Sequence, residues 1–203
     1  RGARGYTRSW AASPGSKTTQ MAAMMNNEGI IVANDYKGDR LQSLGLNIQR
    51  SVLTNTIITL MHGKRFYQFE FDKILLDAPC SGTGTIRKSL KTISIWNPGM
   101  VTKIAKAQKE LIENAFKNLK VGGEMVYSTC SLEPEEDEGV VDFLLQKFDN
   151  AKIMEINLPG LQRSPAIVEF EGTKYNPAIK HCLRIWPQDN DTEGFFVVKI
   201  KKN

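Results

Sequence analysis

The sequence predicts an α/β fold, a mostly parallel sheet in a three-layer α/β/α arrangement, and three observations predict it. Apolar runs of strand length recur at residues 29–35, 56–61, 71–76 and 124–130. Helical periodicity fills the gaps, most clearly over 101–119, where Val101, Ile104, Ala105, Leu111, Ile112, Ala115, Phe116 and Leu119 form one stripe. Such alternation of strand and helix favours parallel pairing. Finally, residues able to do chemistry cluster where strands should end, and ligands of open α/β sheets sit outside those carboxyl ends.

Composition bounds the reading. At 203 residues the chain (1–203) fits one domain large enough to bury a core. No apolar run approaches membrane-spanning length and nothing resembles a cleavable signal, so no membrane is expected. Three cysteines without a CxxC pair suit a reducing, cytoplasmic setting better than a disulfide framework. No metal is expected, and the chain is expected to be a monomer.

In order, residues 1–8 are Arg- and Gly-rich and read as a disordered or truncated start, with 9–12 the frayed end of a first strand. Ser13-Pro14-Gly15 reads as a turn into a short helix that Ser16 or Thr18 is placed to cap. The N-terminus of that helix, with its unpaired N–H groups and positive dipole end, suits an anionic group of a ligand. The second strand ends in Asp35, about twenty residues beyond the turn, the spacing at which an acid hydrogen-bonds the ribose of an adenosine cofactor. Asp35 is equally placed to cap the helix of residues 37–50.

The third strand exits at His62, which is site-facing, although a lone His is more often structural. The fourth strand delivers Asp77-Ala78-Pro79-Cys80-Ser81-Gly82-Thr83-Gly84, a carboxylate, a thiol and a Gly-rich turn in succession. After a polar connection containing Trp96 comes the long helix, closed by Gly122-Gly123. The fifth strand delivers Cys130. Pro134 and the acids Glu133, Glu135, Glu136 and Asp137 suit the first turn of a helix that buries Val140, Val141, Phe143, Leu144 and Leu145. Strands at 151–156 and 195–200 bring the sheet to seven, with 157–194 a long irregular loop on the substrate side.

The net charge of +5 is modest, but its distribution is one-sided. Arg87, Lys88, Lys91, Lys103, Lys106, Lys109, Lys117 and Lys120 follow the Cys80 loop against only Glu110 and Glu113. That suggests an anionic substrate such as nucleic acid. A solvated helix face accounts equally well for Lys103, Lys106 and Lys109. Two buried thiols acting as small hydrophobes is the plain alternative for Cys80 and Cys130; their matching strand-to-loop exits favour chemistry. The residues alone do not rank the two.

Pro14-Gly15-Ser16-Lys17-Thr18, Leu76-Asp77-Ala78-Pro79-Cys80-Ser81-Gly82 and Tyr127-Ser128-Thr129-Cys130-Ser131, with Glu135-Glu136-Asp137-Glu138 behind, closely resemble the RNA 5-methylcytosine methyltransferases. The likeness covers nearly the whole chain and extends to Arg184-Ile185-Trp186-Pro187 and Gly194-Phe195-Phe196. It implies an S-adenosylmethionine-dependent Rossmann-like sheet with an antiparallel last strand, and methylation of cytosine C5 in RNA, tRNA favoured and rRNA open. It further implies that Cys130 is the nucleophile, that Cys80 assists product release, and that Asp77 holds the ring. Ala12, Ser13, Pro14, Gly15, Ser16 and Lys17 would surround the methionine end of the cofactor, with Asp35, Arg40, His62 and Asp77 completing its pocket. Pro79, Arg87, Lys88 and Arg184 are the candidates for the RNA side.

The family usually has an acid where this sequence has Ser9, and Asp where it has His62. It also usually carries an RNA-binding region upstream of these motifs, so the chain resembles a catalytic core. The rival is a non-catalytic RNA-binding or assembly protein with the same fold and weakened cofactor binding. Ser9 and His62 are its sequence support; the cysteine pair argues against it.

Overall fold

The computed structural model describes the backbone of residues 6–10 and the whole of residues 15–203. In chain order the elements are β1 (Tyr6–Trp10), α1 (Ser16–Met24), β2 (Ile30–Asp35), α2 (Gly38–Arg50), β3 (Thr56–Leu60), β4 (Phe71–Asp77), α3 (Lys91–Ile95) and α4 (Pro98–Lys117). They continue with β5 (Leu119–Thr129), α5 (Glu138–Lys147), β6 (Ala151–Met154), β7 (Glu169–Phe170), β8 (Thr173–Lys174), β9 (Leu183–Ile185), α6 (Pro187–Asn190) and β10 (Phe195–Lys202). The main sheet runs β3-β2-β1-β4-β5-β10-β6, with β9 added against β10. Strands β1 to β5 pair in parallel, and β10 runs antiparallel to β5, β6 and β9.

Strand order reverses at β1, whose neighbours are β2 on one side and β4 on the other. That is the switch point at which open α/β sheets bind ligands. Because β2, β4 and β5 are parallel, Asp35, Asp77 and Thr129 end them on the same edge of the sheet.

The core has two clusters. The larger joins β4, β5, β10, α4 and α5 through Ile74, Leu76, Ile112, Phe116, Met125, Tyr127, Val140, Leu144, Phe196 and Val198. The smaller joins Ala33 of β2 to Leu44 and Ile48 of α2. Val32 packs against the larger cluster and Ala33 belongs to the smaller. Successive strand residues point to opposite faces, so β2 meets the two clusters on opposite faces. Helix α4 starts where its sequence directs: Asn97 accepts the Met100 N–H at 2.9 Å, and Pro98 takes the first helical position, where no N–H is needed.

Several expectations need correction. The main sheet has eight strands rather than seven, because β9 pairs with β10. Residues 157–194 are not wholly irregular: they hold the β7/β8 hairpin, β9 and α6. Residues 6–8 belong to a strand, in parallel register with β2 and β4, so the start of the chain is not disordered from 1 to 8. Neither Ser16 nor Thr18 caps α1: Gly15 takes the N-cap position, and Thr18 is buried with its hydroxyl unpartnered. Gly122 and Gly123 do not end the long helix, which stops at Lys117. They lie inside β5 where the register with β4 shifts, and Gly122 has a φ of 81°, a left-handed conformation that favours glycine. Glu133, Glu135 and Glu136 precede the first turn of α5, which begins at Glu138 with Asp137 at its N-cap; Glu136, Asp137 and Glu138 are all buried.

Candidate active site

Two loops carry the chemistry, one after β4 and one after β5. The Ala78 N–H donates to Ser128 O at 2.9 Å, extending the β4–β5 pairing one step beyond the strands. Both chains then leave the sheet side by side. Their sulfurs, Cys80 Sγ and Cys130 Sγ, lie 3.0 Å apart, and both thiols are free and half-buried. Beyond them the loops are cross-linked. Gly84 N–H donates to Cys130 O at 2.9 Å, Leu132 N–H donates to Thr83 Oγ1 at 2.9 Å, and Ser81 and Ser131 share a hydroxyl bond at 3.1 Å. The approach is tight: a Cβ on Gly84 would lie 2.3 Å from Gly194 O and 2.8 Å from Cys130 O.

The two thiols differ electrostatically. The hydrogen bond from Cys80 holds the Cys130 thiol below the ordinary cysteine range. Burial and the Asp77 carboxylate oppose that shift, and the Lys17 ammonium assists it. Cys80 moves the other way, raised far above its ordinary value by its hydrogen bond to Cys130 and by burial, with Glu136 adding to the shift. The pair therefore favours a Cys130 thiolate beside a protonated Cys80. Asp77 Oδ2 lies 2.7 Å from Lys17 Nζ, and Oδ1 accepts the Ser128 hydroxyl at 3.1 Å. Lys17 Nζ also sits 5.5 Å from the centre of the Phe195 ring.

Behind the sulfurs lies a buried ionic cluster. Arg184 is 0% exposed. It donates from Nε to Glu138 Oε1 at 2.9 Å, from Nη2 to Asp137 Oδ2 at 3.1 Å and from Nη1 to Leu132 O at 3.0 Å. Its guanidinium lies 5.2 Å from the Trp186 ring centre. Burial pushes the Asp137 carboxyl well above the usual range, against the pull of Arg184. One guanidinium and two carboxylates can thereby shed their excess negative charge. Arg184, expected on the RNA side as a residue shaping the site, is fully buried, and its side chain holds the Cys130 loop from inside.

In front of the sulfurs a cavity of about 460 Å³ opens beyond the carboxyl ends of β2 and β4. Lys17, Asp35, Arg40, His62, Asp77, Pro79, Cys80 and Cys130, all expected at the site, line it together. Asp35 stands at the end of β2, between the start of α2 and the cavity. Its Oδ1 accepts the Lys37 N–H at 3.1 Å at the start of α2, while Oδ2, 3.6 Å from Arg40 Nη1, is buried with no hydrogen-bond partner. His62 Nδ1 accepts the Lys64 N–H at 3.3 Å, and its ring faces Tyr36 with 6.1 Å between centres.

Other expected residues stand elsewhere. Gly15 and Ser16 are not in the cavity wall; Gly15 is packed against Leu44 and Ser16 faces solvent. Arg87 and Lys88 lie outside the cavity, exposed, at 2.9 Å from Asp191 and 3.8 Å from Glu193. Ala12, Ser13 and Pro14 lie outside the described residues, as does the side chain of Ser9.

Sequence reasoning missed Asn34, Tyr36, Met61, Ala107, Leu111 and Phe195 as wall residues. Asn34 had a readable signal, a polar residue in a buried strand just before Asp35. It ties β2 to the exit of β3, donating to Met61 O at 3.0 Å and accepting from Met61 N–H at 3.1 Å. Ala107 and Leu111 are spaced four apart on α4, but that stripe reads as core whether it faces a cavity or a sheet.

Residues 9–201 match the family described as 16S rRNA methyltransferase RsmB/F. The chain is 50% identical over 194 residues to a tRNA (cytosine(49)-C(5))-methyltransferase of Pyrococcus abyssi, covering 95% of this chain and 62% of that one. It is 45% identical over 200 residues to a ribosomal RNA small subunit methyltransferase F of Shewanella piezotolerans, covering 97% of this chain and 40% of that one. Among solved structures, NSun6 from Pyrococcus horikoshii with SFG superposes with a TM-score of 0.84 at 32% identity, covering 98% of this chain and 48% of that one. The chain thus spans between two fifths and about three fifths of the curated relatives' length. With its motifs gathered at one switch-point cavity and its match running through nearly every element described, the chain belongs to the RsmB/F methyltransferase family.

Proposed function

We propose that this chain transfers a methyl group from S-adenosylmethionine to C5 of cytosine in RNA, with tRNA the favoured substrate and rRNA the alternative. One observation carries the reading: two free, half-buried thiols 3.0 Å apart at the tips of neighbouring parallel strands, on the wall of a cavity that also holds Asp77 and Asp35. The names of the relatives support the chemistry, and the 50% identity to a tRNA enzyme supports the substrate. Core clusters meeting β2 on opposite faces support the three-layer arrangement.

The cavity fits the cofactor on a feature of its own. Asp35 Oδ2 is a buried carboxylate oxygen with no donor, and a ribose hydroxyl would satisfy it. Arg40, Tyr36 and His62 stand beside it. S-adenosylmethionine, when bound, supplies an electrophilic methyl group.

This chain's own residues prepare the pyrimidine. The Cys130 thiolate adds to C6, forming a C–S bond and moving electron density to C5, which is otherwise a poor nucleophile. Asp77 accepts from the exocyclic amine and orients the ring. After methylation the C5 proton leaves to a base, the C6–S bond breaks, and the electron pair returns to Cys130 as thiolate. Cys80, in contact with the sulfur that departs, assists this release.

The test is bisulfite sequencing of tRNA and rRNA incubated with the full chain and methyl donor. New protected cytosines in tRNA are expected; none in either RNA would overturn the reading. Calorimetry with S-adenosylhomocysteine separates catalysis from the rival: no heat at millimolar ligand would favour a non-catalytic RNA-binding protein.

A further inference from the structure

Glu136 is a buried ionisable group that the proposed chemistry leaves unused. It is 0% exposed and lies in the turn after Cys130, yet it reaches the loop of the other sulfur. Its Oε2 accepts the Ser81 N–H at 2.8 Å and the Gln108 side-chain amide at 3.2 Å. The same Gln108 amide donates to Pro79 O at 2.8 Å. Glu136 and Gln108 thus clasp the peptide groups on both sides of Cys80. Glu136 Oε1 is buried with no hydrogen-bond partner. Holding a carboxylate this way is unfavourable when only two acceptor bonds are required. A glutamine would accept both with the same shape and no charge.

We propose that Glu136 is a positioning residue that decides which sulfur carries the negative charge, its carboxylate keeping the proton on Cys80 so that the thiol of Cys80 points at a Cys130 thiolate. The proposal rests on the two-thiol reading above. The titratable groups around the pair act in both directions. Tyr127, Glu133 and Asp137 stand near Glu136, whose carboxyl burial raises above its ordinary range while its hydrogen bonds from Ser81 and Gln108 favour the charged form. The Glu136 charge behind Cys80 and the Lys17 ammonium beside Cys130 bias the shared proton toward Cys80, and the Asp77 carboxylate beside Cys130 opposes them. Tyr127 Oη donates to the Glu136 backbone carbonyl at 2.6 Å, fixing the turn that aims the carboxylate.

The experiment is iodoacetamide labelling of the full chain between about pH 6 and 9, with peptide mass spectrometry to score each cysteine. It needs neither RNA nor methyl donor, so it stands or falls separately from methyl transfer. In the native chain Cys130 is expected to label faster than Cys80. In Glu136→Gln the Cys130:Cys80 ratio is expected to fall by roughly tenfold, with Cys80 labelling beginning at lower pH. Glu136→Asp, shorter but charged, is expected to keep most of the native ratio. A purely structural clasp predicts the opposite ranking, because the amide keeps the shape and the shorter acid does not. An unchanged ratio in Glu136→Gln overturns the proposal. So does a Glu136→Gln chain that fails to fold, since a shape-preserving change would then have failed for structural reasons.

Discussion

The two walls of the cavity are built differently. The sulfur wall joins its loops through Gly84, Cys130, Thr83, Leu132, Ser81, Ser131 and Glu136, with Arg184, Asp137 and Glu138 sealed behind them. The donor wall is looser. Asp35 is buried, but Tyr36 is 54% exposed, Arg40 reaches Asp35 only at 3.6 Å, and His62 is held by one hydrogen bond and a ring contact. Bond-making needs two sulfurs fixed against one ring, and buried, mutually satisfied groups provide that. On the proposed reaction, a wall that admits and releases a bulky cofactor each cycle needs side chains that can move.

That contrast can be broken at either wall. The largest effect is expected from Cys130→Ala, which should lower methyl transfer by roughly 10³-fold or more and form no covalent protein–RNA adduct on a denaturing gel. Cys80→Ala should instead accumulate the adduct; the reverse pattern of bands would exchange the two roles. Arg184→Met comes next. It strands two buried acids and should cost about 3–5 kcal/mol in denaturant unfolding. A loss below about 1 kcal/mol would mean that the sulfur wall is not braced from behind.

Asp35→Ala sharpens the other side. Affinity for S-adenosylhomocysteine should fall by roughly 10- to 100-fold by calorimetry, the worth of hydrogen bonds to a charged group. The melting temperature should move little, because the fold loses one bond to Lys37 N–H and a 3.6 Å ion pair with the partly exposed Arg40. A large stability loss would make the donor wall as rigid as its neighbour. The smallest effect is expected from Arg87→Ala. Its ion pair with Asp191 is exposed, and unfolding should change by no more than about 1 kcal/mol. The same variant should flatten the salt dependence of RNA binding only if Arg87 meets phosphate.

Most of the sheet was legible because strands covered on both faces leave continuous apolar runs, as at the start of Ile30–Asp35, where no residue is exposed. Strand β9 was not, since three residues carry too little periodicity and pair only because β10 passes beside them. At the site, Asp35, Asp77, Cys80 and Cys130 were readable from their places at strand ends. The burial of Arg184 was not legible, because a guanidinium in sequence gives no sign of the two acids, Asp137 and Glu138, that permit it. The acidic run after Cys130 was read as a helix's first turn, which its charge pattern suits; that pattern carries no sign of the tertiary partners that take Glu136, Asp137 and Glu138 inside. Ala107 and Leu111 could not be told from core by spacing alone.

The crossing of Gly84 with Gly194 bears on how the protein comes into being. Gly194 N–H binds Gly84 O at 2.8 Å, and the strand that follows it inserts between β5 and β6. Of the strands seen here, β10 is the last to leave the ribosome, yet it occupies an interior place in the sheet. A nascent chain that already displays both cysteines therefore lacks one of the backbone bonds that hold their loops. A product interrupted before residue 195 would carry both cysteine motifs in a sheet missing its interior strand β10.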